Sequence, residues 1–147
     1  MKPVFREIDP ASSREAAEAL RLREEVLRKP LGLRLSVRDL AADVGCFQIG
    51  GFVKDQLVAV LLLKPEDDRT MRMRQVAVAP LSQRTGLGSG LVQFAEKFAR
   101  QKGLGWMTAH AREDALPFYL GNGYEVEGAR FVEIGIPHCL VSKTLGC

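Results

Sequence analysis

Three glycines at alternate positions, in the run Gln83-Arg84-Thr85-Gly86-Leu87-Gly88-Ser89-Gly90, divide two segments of different periodicity. Before them, Met71 to Ala79 reads as a strand. After them, Leu87, Leu91, Phe94, Ala95 and Phe98 form the stripe of an amphipathic helix, and Gly103 stands where that helix would end. A helix start presents unpaired amides and the positive end of the helix dipole, and glycine lets a bulky anion approach the backbone. Strand, glycine-rich turn and helix in that order point to a phosphate or pyrophosphate site, with Arg84 adding a mobile positive charge. The alternative is a turn that only starts a helix.

The strand before the glycines changes phase. Met71 and Met73 are apolar at odd positions and Arg72 and Arg74 polar at even ones, yet Val76 and Val78 are apolar at even positions. A strand keeps one buried face only while its two-residue period is unbroken, so the slip predicts a β-bulge between Arg74 and Ala77. A bulge splays the strand from its neighbour and frees backbone groups with which an extended ligand can pair. The other reading leaves Met71 and Met73 semi-exposed and makes Val76 to Ala79 a buried run.

Around this centre the chain reads as strand Val4 to Ile8, a helix from the Ser12-Glu15 capping signal to Lys29, and a connection Leu31 to Val44 with a short helical piece, Val37 to Ala42. Strands follow at Cys46 to Val53, Gln56 to Leu63 and Met71 to Ala79, joined by short polar turns that suit an antiparallel meander. Beyond the long helix come strand Gly105 to Ala111, a helix from Asp114 to Leu120, and strands Tyr124 to Val132 and Pro137 to Thr144. The fold class is mixed α/β (α+β), with a largely antiparallel sheet of about seven strands flanked by helices. At 147 residues the whole chain, 1–147, is read as one domain.

Twenty-one Lys and Arg against eighteen Asp and Glu leave a formal charge of +3, too small an excess to imply nucleic acid. Arg69, Arg72, Arg74 and Arg84 have no interleaved aromatic residue on which bases could stack. Charges within MKPVFREIDP stand where a signal peptide needs an apolar core, and the apolar run Leu57 to Leu63 is far below the roughly 18 residues of a membrane helix. No membrane association and a cytoplasmic setting are expected. Cys46, Cys139 and Cys147 are widely spaced with no CxxC, so no metal site is expected; Cys46 and Cys139 read as core and Cys147 as exposed.

Two familiar phosphate sites are excluded by what is missing. A P-loop needs Gly-Lys-Ser/Thr, whereas Gly88 is followed by Ser89-Gly90; a dinucleotide site needs an acidic residue about 20 positions on, and Trp106 to His110 supplies none. Instead, Val76-Ala77-Val78-Ala79-Pro80-Leu81-Ser82-Gln83-Arg84-Thr85-Gly86-Leu87-Gly88 resembles the acetyl-CoA-binding segment of the GNAT superfamily of N-acetyltransferases, with its Gln/Arg-x-x-Gly-x-Gly/Ala signature. Ala115 to Tyr124 is similar to that family's second coenzyme A motif, and Gly135 to His138 with Leu140 to Thr144 to a closing strand found in a subset of it.

The resemblance implies a GNAT acyl-CoA N-acyltransferase fold with acetyl-CoA as co-substrate and an amine of small molecule or peptide as acceptor. It implies that backbone groups of Val76, Ala77 and Val78 pair with the pantetheine arm, and that Gln83, Arg84, Thr85, Gly86, Leu87, Gly88 and Ser89 hold the pyrophosphate. Tyr119 stands at the position of a tyrosine that donates a proton to the departing thiolate; the alternative is a packing aromatic beside Phe118. Relatives that place a glutamate on the splayed strand have no counterpart at Arg74 or Gln75. Histidine titrates near neutral pH, so His138 is ranked first as base, before His110 and Glu133, and a structural role remains the alternative for each. Arg72 and Arg74 read as solvated. An exposed closing strand offers a route to a homodimer. A catalytically idle acyl-CoA sensor is the competing function.

Overall fold

The periodicities are resolved on one mixed sheet, described for residues 2–146 by a computed structural model. Its strands are β1 (Val4–Glu7), β2 (Phe47–Val53), β3 (Gln56–Pro65), β4 (Thr70–Val78), β5 (Trp106–Arg112), β6 (Glu125–Glu133) and β7 (Ile136–Thr144). The helices are α1 (Ser13–Leu27), α2 (Val37–Ala41), α3 (Leu87–Gln101) and α4 (Leu116–Gly121). The strand order is β1-β2-β3-β4-β5-β7-β6, and every neighbouring pair is antiparallel except β4 with β5. The seven-stranded, mostly antiparallel sheet is the fold class expected.

Most element ends fall within two residues of expectation. The helix bearing Tyr119 starts later, at Leu116 after a 3-10 turn Glu113–Ala115, because Pro117 lacks an amide hydrogen and suits a first turn. Ser12 caps α1 by accepting from the Glu15 amide, but Glu15 turns back to the Asp9 amide and Arg6. The complete capping box is at α2, where Ser36 and Asp39 satisfy each other's amides.

Each face of the sheet carries its own core. Met71, Met73, Val76 and Val78 face α3, among Leu91, Val92 and Ala95; Ala77 and Val60 face α1, with Ala19 and Leu22. The switch of face is made by a bulge: Val60 pairs with Ala77 and Leu62 with Arg74, so Gln75 and Val76 together oppose Leu61. Gln75 takes the left-handed conformation, φ 51°. Met71 and Met73 are 0% and 2% exposed, which removes the semi-exposed reading.

The bulge is followed by a split. Parallel pairing of β4 with β5 runs from Thr70 opposite Trp106 to Met73 opposite Ala109 and goes no further, while β5 continues on β7 until Arg112 faces His138. A V-shaped opening therefore separates the second half of β4 from the end of β5. One expectation is corrected: the closing strand β7 is not exposed but lies between β5 and β6, and the edge on that side is β6.

Candidate active site

At the mouth of the opening the chain turns through Arg84, φ 62°, and Gly86, φ 84°, into α3. No side chain caps that helix, and its first backbone bond runs from the Gly90 amide to the Gly86 carbonyl at 3.0 Å. The amides of Leu87, Gly88 and Ser89 therefore point ahead of the helix, unspent. A Cβ at Gly86 would stand in open space, so the outer side of the turn is free for a ligand. The fit to a pyrophosphate is good: unspent amides and a fifteen-residue helix dipole meet there, and the exposed Arg84 stands two residues before Gly86.

The neighbouring residues have packing duties. A Cβ at Gly88 would lie 3.2 Å from Phe118 and 3.5 Å from Val78, and one at Gly90 only 2.7 Å from the Phe5 ring. Gly90 is thus a contact glycine rather than part of the anion cradle. Leu87 buries its side chain in the α3 core, and the Thr85 hydroxyl donates to the Ser82 carbonyl. Gln83 Nε2 donates to the Val78 carbonyl at 2.9 Å, stapling the cradle to β4. Gln75 and Val76 have no paired residue on β3.

The opening continues inward as a cleft of about 700 Å³ between β4, β5, α4 and the α1–α2 side of the sheet. Tyr119 reaches it from α4 and is 7% exposed. Burial pushes its phenol up to about 12, with the Arg112 charge pulling the other way, so the hydroxyl stays protonated through the neutral range. Its ring stands edge-on to Phe118 and Tyr124 at centroid distances of 5.3 and 5.8 Å. Tyr124 is committed elsewhere: its hydroxyl donates to Glu96 at 2.9 Å, and Lys143 binds the same carboxylate.

His138 lies across the cleft, 3% exposed. Its Nδ1 is 2.9 Å from the Ile136 carbonyl, which can only accept, so Nδ1 carries a proton and Nε2 keeps the lone pair of the neutral ring. That Nε2 is 3.7 Å from Glu133 Oε2. The other Glu133 oxygen is 2.9 Å from His110 Nδ1, which is also 2.9 Å from Arg72 Nη2. A guanidinium only donates and a carboxylate only accepts, so Nδ1 serves one of them at a time. The three base candidates, His138, His110 and Glu133, thus form one chain of contacts.

Arg72 and Arg74 differ from expectation. Both line the cleft, and Arg74 Nη1 donates to Asp43 at 3.1 Å and to the Ala42 carbonyl at 3.3 Å, leaving 11% of its side chain exposed. Cys46, read as core, is half-buried with its sulfur 3.6 Å from that guanidinium; Cys139 is buried, and Cys147 lies outside the described residues. Arg112 was missed in the sequence. The signal lay in alternation, since apolar Met107, Ala109 and Ala111 leave Thr108, His110 and Arg112 on the cleft face. Among the described residues no cluster suits a metal ion, and no helix is long and apolar enough to cross a membrane.

A mixed sheet split between two parallel neighbours, with a glycine-rich helix start beside the split, is the frame on which the site is built. The chain belongs to the acetyltransferase (GNAT) family, whose model matches residues 11–124. It is similar to the uncharacterized protein YyaT of Bacillus subtilis (strain 168), 30% identical over 76 residues, which are 52% of this chain and 51% of that protein. The chain thus spans about half the length of the curated relatives it matches. A candidate N-acetyltransferase from Lactobacillus plantarum has a crystal structure that superposes with a TM-score of 0.83 at 28% identity, over 98% of this chain and 97% of that one. An aminoglycoside 6'-N-acetyltransferase complexed with coenzyme A superposes with a TM-score of 0.82 at 14% identity over 98% of both chains, a likeness of fold alone.

Proposed function

We propose that the protein is an acetyl-CoA-dependent N-acetyltransferase that acts on a primary amine by direct attack in a ternary complex. The observation that carries this reading is the meeting of two features at one opening: the amide cradle of α3 and a buried, protonated tyrosine. Acetyl-CoA would supply a thioester whose carbonyl carbon the amine attacks. Amides from Arg84 to Ser89 would hold its pyrophosphate, and the unpaired stretch at Val76 would take the extended arm, with Val78 and Ala77 keeping that strand aligned. A solved structure of the same fold that is complexed with coenzyme A supports the choice of cofactor.

In this reading His138 Nε2 takes a proton from the attacking amine, and the Tyr119 hydroxyl gives one to the departing sulfur. The carbon–nitrogen bond forms as the carbon–sulfur bond breaks, and one proton passes from amine to sulfur over the turnover. The histidine then releases its proton and the tyrosine regains one, which restores the starting state. Glu133 Oε2, 3.7 Å from His138 Nε2, faces the imidazolium once it forms, and His110 holds the other Glu133 oxygen.

The test is a thermal-shift measurement with acetyl-CoA, followed by thiol release with a panel of amines. Acetyl-CoA should raise the melting temperature of both the native protein and Tyr119→Phe. The variant should lose about 10²-fold in kcat at unchanged acetyl-CoA affinity, within the usual range for a lost general acid. Absence of stabilisation by acetyl-CoA would overturn the reading. Stabilisation without thiol release from any amine would leave the idle sensor as the function.

A further inference from the structure

The cleft wall is positively charged. Arg28, Arg38, Lys64, Arg72, Arg74 and Arg112 line it, against only Asp39 and Glu133. Those acids, and Asp43 behind them, are already taken: Asp39 pairs with Arg28 at 3.0 Å, Asp43 with Arg74 at 3.1 Å, and Glu133 sits between His110 and His138.

Two guanidiniums are left short. Arg72 reaches no carboxylate nearer than Glu66 at 4.0 Å, and its Nε is buried without a hydrogen-bond partner among the described residues. Arg112 spends one Nη2 bond, 2.6 Å to the Leu27 carbonyl, and meets no carboxylate at ion-pair distance among the described residues. Burial and the nearby Arg28 charge both weaken its hold on its proton, while Asp114 and Glu133 act on it only from a distance. A partly desolvated guanidinium without a counter-charge is costly, and a bidentate carboxylate or phosphate relieves that cost. An anion held in the α3 cradle cannot be that partner, since the cradle belongs to the opposite layer of the sheet, whereas Arg72 and Arg112 line the cleft beside Leu27 and Arg28 at the end of α1.

We infer that the acceptor is a small amine that also carries an acidic group, a carboxylate or phosphate held by Arg112 and Arg72, and not a polyamine or other polycation. This rests on the N-acetyltransferase reading and narrows it. Arg112 faces His138 across the β5–β7 register, so an anion on its fork lies close to the base and its amine need be only a few bonds away. A polycation would instead bring like charge to a wall already in excess.

Initial rates of thiol release, measured on the full chain with acetyl-CoA, should compare free amino acids, their amides, phosphoethanolamine and spermidine. An acidic amine should be accepted with a kcat/KM at least 10-fold above its amide and above spermidine; the amino-acid and phosphoethanolamine arms tell which acid is preferred. Arg112→Gln should lower kcat/KM for the acidic amine about 10-fold more than it lowers kcat/KM for the amide. Arg112→Lys should restore part of that selectivity, and because the readout is a ratio of two substrates on one preparation, misfolding cannot imitate the pattern. Equal or better use of the amide or spermidine would overturn the inference while leaving the acetyltransferase standing. Failure of acetyl-CoA to stabilise the protein would instead bring down the broader reading, and this one with it.

Discussion

Tyr119 and Tyr124 sit edge to face, yet they are bound to different tasks. Tyr124 hands its hydroxyl to Glu96, and burial together with that carboxylate raises its pKa; Tyr119 keeps its hydroxyl for the cleft, and burial raises it from 10.0 to about 12. A phenol that ionises less readily folded than unfolded makes a contribution to stability that is full below pH 10 and is lost as pH rises through about 12. Stability measured by urea midpoint should therefore fall between about pH 9.5 and 11.5, and Tyr119→Phe should flatten that fall. An unchanged alkaline slope in the variant would mean that the folded phenol is better solvated than its 7% exposure suggests.

The strand with the cradle is held from behind by the first helix. Arg23, 1% exposed on α1, donates from Nε to Gln75 Oε1 at 2.7 Å and from Nη2 to Asp43, which in turn takes Arg74. This pins the left-handed residue of the bulge. Removing one member of a buried ion pair typically costs about 3 kcal/mol or more. Arg23→Met should lower the melting temperature and also weaken acetyl-CoA binding several-fold, although Arg23 does not touch the cradle; a destabilised variant with unchanged acetyl-CoA affinity would rule out the linkage. The sequence made the bulge legible, because phase is a local property of consecutive residues, and the same holds for the turn at Gly86 and the cap at Ser12. It could not show what secures the bulge. Arg23 and Gln75 are 52 residues apart, and Arg112 and Leu27 85. Nor could it separate Arg72 and Arg74 from ordinary surface charge, since only the sheet order sets them against α2 and β5.

Taken as one body, the sheet presents a different chemistry on each of its two layers. The α3 layer offers backbone amides, and the α1 layer offers guanidiniums, so a modest overall charge of +3 conceals a strongly cationic cleft. That field should respond to salt. Between about 0.1 and 1 M salt, where the screening length falls from roughly 10 to 3 Å, KM for an acidic acceptor should rise several-fold and KM for its amide should stay flat. A salt-insensitive KM for the acidic amine would show that the guanidiniums do not reach it.

The extra residue at Gln75 also limits how this gene can change. Shortening the chain there by a single position would return β4 to an uninterrupted ladder and invert everything after it. Val76 and Val78 would then turn toward α1 and Ala77 toward α3, and the turn into the cradle would leave the strand on the wrong side. Residue identities along β4 can drift while the protein keeps its shape. The number of residues between Arg74 and Gly86 cannot, so descendants of this chain should vary in spelling across that interval and hold its length constant.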